Sequence, residues 1–239
     1  MTTIPTSQRA LRREIIITTC CQLDVLGLNQ GTSGNVSVRV GADTDANAHG
    51  GFLLTPTSLA YDAMKPSDIV HVSATGICRG KRRPSSELPF HAEIMAARPD
   101  ARAIIHTHSV HATAVSCLRR SIPAIHYLVA LFGGADIRCA DYATFGTDKL
   151  SANLVRALDG RRAALLANHG LVVIGDTLAH ALALTIEAEQ LARLYLATLA
   201  TGVAPAVLDA AEMKRVAKKF LDYGYGSAPS GRPTGDANR

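Results

Sequence analysis

An α/β fold in one domain spanning residues 1–239 is what this chain predicts, on three observations. Segments of period-two apolar alternation interleave with segments whose apolar residues return every third or fourth position. No repeat and no Pro/Ser/Gly-rich linker divides the 239 residues. That length suits one substantial core and is short for two, since domains typically run to roughly 100–200 residues.

Taken in order, Ser7 is placed to cap a first helix through Leu11, Ile15, Leu23 and Leu26, with Gly27 as its stop. Asn35-Val36-Ser37-Val38-Arg39-Val40 alternates in period two, and Gly51-Phe52-Leu53-Leu54-Thr55 reads as its hairpin partner across a Gly/Asp/Asn-rich loop. Further strands are predicted at 69–73, 103–107, 163–167 and 171–174, and helices at 86–97, 109–118 and 147–158. Thr177 opens a long helix through Leu182, Ile186, Leu191 and Leu194, and a last helix runs to about Leu221. A Gly/Pro/Ser tail follows, so residues 1–6 and 226–239 are expected to be flexible.

Composition narrows the function classes. A 47% apolar chain with mean hydropathy +0.12 describes a folded globular protein, not a disordered one. A net charge of +5 favours anionic partners, but no nucleic-acid motif accompanies it, and the densest basic run, Arg79-Gly80-Lys81-Arg82-Arg83, reads as a solvated turn. Five cysteines without a C-x-x-C pair fit a reduced compartment, so the expected location is the cytoplasm. No apolar stretch approaches the length that crosses a bilayer, and neither a membrane nor a nucleic acid is expected as a partner.

The chemistry concentrates in histidines. His106 and His108 end the apolar run Ala103-Ile104-Ile105, and residues two apart on a strand project from one face, so both imidazoles can reach one ion. His169, in Asn168-His169-Gly170, stands where a glycine turn would present a third ring at a sheet edge. Three histidines with an open position form a catalytic metal pattern, while spacing alone equally allows satisfied core or surface histidines. His111 competes as third ligand but falls in a predicted helix; His91, His126 and His180 read as structural.

A wider set of motifs resembles the class II aldolase and adducin family, in its fuculose-phosphate branch. They are Gly27-Leu28-Asn29-Gln30-Gly31-Thr32-Ser33-Gly34-Asn35-Val36-Ser37, Thr55-Pro56-Thr57 and Ser85-Ser86-Glu87, then His106-Thr107-His108-Ser109-Val110-His111 and Ser121-Ile122-Pro123-Ala124-Ile125-His126-Tyr127. Tyr142-Ala143-Thr144-Phe145-Gly146-Thr147 and Asn168-His169-Gly170-Leu171 complete the series, over roughly residues 8–225. The resemblance implies a three-layer α/β/α sandwich with a central, largely antiparallel sheet, assembled as a homotetramer with active sites at subunit contacts. It implies Zn2+ on His106, His108 and His169, with Glu87 in the fourth position when no substrate is present.

The implied reaction is reversible cleavage of a ketose 1-phosphate, of the L-fuculose 1-phosphate type, to dihydroxyacetone phosphate and a small aldehyde such as L-lactaldehyde. Zinc acts there as a Lewis acid that stabilises the ene-diolate. Glu87 is implied to move the proton at the ene-diolate carbon, with its pKa raised by a partly desolvated site; alone, a Glu after two serines is more often a first-turn helix residue. Tyr127 is implied to exchange a proton at the cleavage point, and Phe145 and Tyr223 to shape the aldehyde pocket, Tyr127 and Tyr223 in a neighbouring subunit's site. Gly34, Asn35, Thr57, Ser58, Ser85 and Ser86 match phosphate contacts, although such segments are ordinarily just loops.

Two departures stand out. Ser58 occupies a position where the family usually carries glycine, which strains the backbone if φ is positive there, and the 41–50 loop is longer than usual. The competing readings are sibling activities on the same scaffold, namely 5-deoxyribulose-1-phosphate aldolase, sugar-phosphate 4-epimerase, dehydratase or decarboxylase, and an adducin-like interaction protein without catalysis. Against the epimerase, Tyr127-Leu128-Val129-Ala130-Leu131 stands where that branch carries a catalytic Asp.

Overall fold

Nine strands form one sheet in the order β4-β3-β2-β1-β5-β9-β8-β7-β6, in a computed structural model that describes residues 6–41 and 50–223. The strands are β1 (Asn35–Val40), β2 (Gly51–Leu54), β3 (Val70–Ser73), β4 (Cys78–Arg79), β5 (Ala103–Thr107), β6 (Ile122–Pro123), β7 (Asp136–Ala140), β8 (Ala163–Leu166) and β9 (Gly170–Gly175). Neighbours are antiparallel except β7 and β8, whose parallel pairing makes the sheet mixed. The helices are α1 (Thr6–Val25), α2 (Leu88–Ala97), α3 (Val110–Cys117), α4 (Asp148–Ala157), α5 (Leu178–Ala200) and α6 (Ala210–Asp222).

Alternation along the strands sorts the core to two faces. Ile104, Ala164, Leu166, Val172 and Ile174 pack with Phe90 and Ile94 of α2 and Leu150 and Leu154 of α4. Their sequence neighbours turn the other way: Ala103 and Ile105 join Ile16, Cys20 and Leu23 of α1, while Leu165, Leu171 and Val173 join Val115 of α3 and Leu191 of α5. Helices therefore cover both faces. Both faces of β5 are buried, and truncating Ile104 or Ile105 to alanine costs roughly 2–5 kcal/mol.

The predicted hairpin forms as β1 and β2, pairing Ser37 with Leu54 and Val40 with Gly51. The other predicted strands and helices form within a residue or two of their expected ends, and Thr177 caps α5 by accepting the His180 N–H. The first helix is correct in span but not in face. Leu11, Ile15 and Leu26 are exposed, and the buried stripe is Ile16, Thr19, Cys20 and Leu23, because an apolar run this dense permits more than one helical stripe. The helix also begins at Thr6, one residue before the expected Ser7 cap. β4, β6 and β7 were not predicted: two are two-residue strands, and β7 alternates too weakly to declare itself. Residues 1–5, 42–49 and 224–239, which include most of the expected flexible ends and of the long loop, lie outside the described residues.

Candidate active site

The strand order places β5 between β1 and β9, so that three chain segments far apart in sequence end side by side. His106 stands opposite Asn35 of β1 on one side and Val172 of β9 on the other. It shares its face with Ile104, the side covered by α2, where its ring meets Phe90 edge-on at 5.5 Å. His108 follows two residues on, just past the strand.

His169 comes from the turn between β8 and β9. Leu166 pairs with Gly170 across that turn, and Asn168 supplies its left-handed residue at φ 54°. The expected glycine turn is thus an asparagine turn, and Gly170 matters for another reason. A Cβ on Gly170 would stand 2.5 Å from the Thr107 carbonyl oxygen and 3.1 Å from the His108 ring, so only a bare backbone lets the third imidazole close in.

The three rings form a near-symmetric cluster, each pair of centroids 4.9 Å apart and steeply inclined. One ring nitrogen of each lies within 4.8 Å of the others. The Leu171 carbonyl accepts from His106 Nδ1 at 3.0 Å, which fixes the ring with Nε2 facing the cluster. That nitrogen is 3.0 Å from His108 Nε2. Burial, and the neighbouring His106 and His169, push the His108 imidazole down to about 4, which favours the neutral, ligating form. These features fit a bound metal ion with three nitrogen ligands.

Glu87 stands at the N-cap of α2, where an acidic side chain ordinarily bonds the helix N–H groups. It makes no such cap. Its carboxylate turns instead to the histidines, Oε2 3.0 Å from His106 Nε2 and Oε1 3.2 Å from His169 Nε2. Oε1 is buried without a well-formed hydrogen bond, an arrangement a cation would satisfy. Burial raises the Glu87 pKa, but the imidazoles of His106 and His169 outweigh it and hold the carboxyl well below its usual range. This corrects the expectation of a raised value: desolvation is present, and the partners decide the sign.

His111 does not join the cluster of His106, His108 and His169; its Nδ1 lies instead 2.7 Å from Oε1 of Glu189 of α5. The same carboxylate accepts the backbone N–H groups of His111 and Ala112 and so caps α3 from across the fold.

Above the cluster opens a cleft of about 320 Å³. Its lining contains every expected phosphate contact, namely Gly34, Asn35, Thr57, Ser58, Ser85 and Ser86, together with Glu87, His108, His169 and Phe145. Among the described residues no lysine or arginine lines it. The loops carrying Thr57 and Ser85 are zipped together by Thr57 N–H to Arg83 O at 3.1 Å and Ser85 N–H to Thr55 O at 3.0 Å. Ser58 sits at φ 55°, so the serine occupies a left-handed backbone position that glycine would fill without strain. A Cβ on Gly34 would stand 2.7 Å from the Asn29 side chain, which bonds Tyr61 and accepts the His108 backbone N–H. Asn29 thereby ties the Gly34 loop to His108, a link its place in the sequence does not announce.

The far wall is Tyr142, Ala143 and Phe145, a largely apolar surface with Phe145 64% exposed; Tyr142 and Asn168 were not predicted. Tyr127 and Tyr223 do not line this cleft. They are 47% and 75% exposed, and the Tyr127 ring lies 6.1 Å from that of Phe220, tilted by 43°, on α6, the helix that Tyr223 caps at its C-terminus.

Comparison with known proteins agrees in sequence and in fold. Residues 14–196 match the class II aldolase and adducin N-terminal domain. The chain is 46% identical to the 5-methylthioribulose-1-phosphate/5-deoxyribulose-1-phosphate aldolase of Rhodospirillum rubrum, over 92% of this chain and 96% of that one. It is 48% identical to the L-fuculose phosphate aldolase of Escherichia coli (strain K12), over 87% and 94%. A solved L-fuculose 1-phosphate aldolase superposes with a TM-score of 0.81 at 38% identity, covering 87% of this chain and 95% of that one.

Proposed function

The chain belongs to the class II aldolase and adducin family and is an aldolase, and on that footing we propose that it cleaves a ketose 1-phosphate of the L-fuculose 1-phosphate type, reversibly, to dihydroxyacetone phosphate and a small aldehyde such as L-lactaldehyde. The observation that carries this reading is the Glu87 carboxylate set against three imidazoles on the floor of a cleft whose upper loops offer hydroxyls and backbone N–H groups.

His106, His108 and His169 would hold zinc, with Glu87 beside it before substrate arrives. The ion supplies Lewis acidity for the carbonyl group of the substrate. Gly34, Asn35, Thr57, Ser58, Ser85 and Ser86 bind the phosphate, through N–H and O–H donors without a basic side chain. The phosphate so anchored leaves the carbonyl end over the histidines, where Glu87 delivers and removes the proton on the hydroxyl-bearing carbon released by C–C cleavage. Phe145 and Tyr142 exclude water from the aldehyde side.

Tyr127 and Tyr223 act in a neighbouring subunit of a homotetramer, Tyr127 as proton donor at the cleavage point and Tyr223 in the aldehyde pocket. Their exposure on one surface away from this chain's own cleft supports that assignment. Helices over both sheet faces support reading the whole as a single-domain three-layer sandwich. Among the described residues no helix is long and apolar enough to cross a membrane, and with the free cysteines this supports a cytoplasmic setting.

A second reading, cleavage of 5-deoxyribulose 1-phosphate or its methylthio analogue, is favoured by the apolar Tyr142–Phe145 wall, which suits a methyl or thioether tail. The deciding experiment measures dihydroxyacetone phosphate release from the three ketose 1-phosphates, with and without a zinc chelator. Fastest chelator-sensitive release from L-fuculose 1-phosphate is expected. Preference for a deoxy or methylthio substrate moves the assignment to the second reading, and no release from zinc-loaded protein refutes both.

A further inference from the structure

Glu87 does not meet the histidines unaided. Asn35 Nδ2 donates to Glu87 Oε2 at 2.8 Å. Asn35 Oδ1 lies 2.5 Å from His91 Nε2, and His91 Nδ1 lies 2.7 Å from the Ser37 hydroxyl. All four side chains are buried. The geometry follows from two periodicities meeting. Asn35 and Ser37, two apart on β1, share a face, and Glu87 and His91, four apart at the start of α2, share another. The strand pair and the helix pair therefore interlock.

We infer that Ser37 and His91 are positioning residues, which through the Asn35 amide hold the Glu87 carboxylate in the orientation from which it transfers the substrate proton. The inference rests on the proposed aldolase mechanism. Chemistry allows the chain only one polarity. An ionised carboxylate only accepts, so the Asn35 amide must present its NH2 group to Glu87 and its oxygen to His91. His91 Nε2 must then carry the hydrogen, and Nδ1 accepts from the Ser37 O–H. Burial pushes the His91 imidazole down to about 3, so the ring stays neutral and Nδ1 stays an acceptor under working conditions. Without Ser37 the other tautomer becomes competitive, and a hydrogen on Nδ1 would leave two acceptors, Nε2 and Asn35 Oδ1, facing each other. The amide would flip or turn away, and Glu87 would lose the donor on Oε2.

The test uses metal-loaded protein and dihydroxyacetone phosphate in D2O. Glu87 takes one proton from the hydroxymethyl carbon and returns a deuteron, a half-reaction that needs no aldehyde and is followed by proton NMR. Ser37→Ala should slow both exchange and kcat about tenfold, and His91→Phe about a hundredfold, with metal content unchanged and KM within about twofold. His91→Gln, whose amide can still donate to Asn35, should recover part of the loss. Independently of activity, the 15N spectrum of the imidazoles should show His91 as the Nε2–H tautomer in the wild type.

Wild-type exchange rates in folded, loaded Ser37→Ala overturn the inference, as does an Nδ1–H tautomer at His91. If His91→Phe does not fold, Ser37→Ala and the spectrum decide. A zinc-loaded wild type that exchanges no proton would instead refute the proposed mechanism, a result distinct from wild-type exchange that the variants leave untouched.

Discussion

Asn168 accepts the Arg119 Nε–H on its side-chain oxygen at 2.7 Å, and both residues hold left-handed backbone, at φ 54° and 52°. Two strained positions thus brace each other beside His169. Asn168→Ala removes the acceptor and leaves a less tolerant residue in the turn, so it should cost about 1 kcal/mol and weaken metal retention. Asn168→Gly, which frees the backbone, should keep the metal. Thermal melts with metal stoichiometry on both variants check this; equal metal content in the two would show that the left-handed backbone at 168 does not orient His169.

Ser58→Gly should stabilise the protein. The left-handed serine costs roughly 1–2 kcal/mol, part of which glycine returns as unfolded-chain entropy, leaving a gain of about 0.5–1 kcal/mol. Urea unfolding reads it as a higher midpoint at an unchanged slope. A lower midpoint would mean that the serine hydroxyl, 3.3 Å from that of Thr57, holds the loop together.

Gly170→Ala should be far more damaging. Its Cβ would press on the Thr107 carbonyl and the His108 ring, so either β5 and β9 separate or the imidazoles splay. Overpacking of this kind costs roughly 1–3 kcal/mol, and zinc affinity should fall with it. Competitive metal titration is the measurement, and wild-type affinity would sink the argument from close approach.

Glu87→Gln keeps the shape and the three histidines while removing the proposed base. Fold and zinc content should persist while kcat falls by about 10²–10⁴. His106→Ala, by contrast, should purify without metal. Near-normal turnover in the glutamine variant would remove Glu87 from the chemistry.

Metal-free protein should lose stability as pH falls from 6.5 toward 4.5. His91 and His108 have folded pKa values depressed from 6.5 to about 3 and about 4, so across this window the unfolded chain binds protons that the folded chain refuses. The buried His91 contributes a loss of roughly 2 kcal/mol over that span and the half-buried, solvent-screened His108 less. Glu87, also depressed, adds its own loss only below its unfolded value of 4.5. Denaturant unfolding across the pH series should therefore slope downward, and a flat profile from 6.5 to 4.5 would contradict the depressed values of the two imidazoles.

Much of this was legible in the sequence because it is local. The period-two run into His106 and His108 places two rings on one face, and the strand that carries them spans 103–107 as expected. What stayed hidden depends on register between distant segments. Nothing in the spacing says that Glu189, 78 residues on, captures His111, or that Asn35 falls opposite His106. His91 reads as structural, and only its place four residues after Glu87, matched to Ser37 two residues after Asn35, hints at the hydrogen-bonded chain it joins. The α1 face was misread for the opposite reason, an excess of apolar residues offering several stripes.

His106 lies on a strand hydrogen-bonded on both sides, whereas Tyr142, Ala143 and Phe145 lie outside any strand or helix, between β7 and α4. Reactivity and selectivity are therefore separately heritable. On the proposed assignment, substitutions in 142–145 should retune which aldehyde fits without disturbing the ladder that aligns the imidazoles, while changes at β5 should disable every substrate alike. Under that assignment a laboratory library confined to this loop should shift the preference among aldehydes while leaving the metal cluster intact.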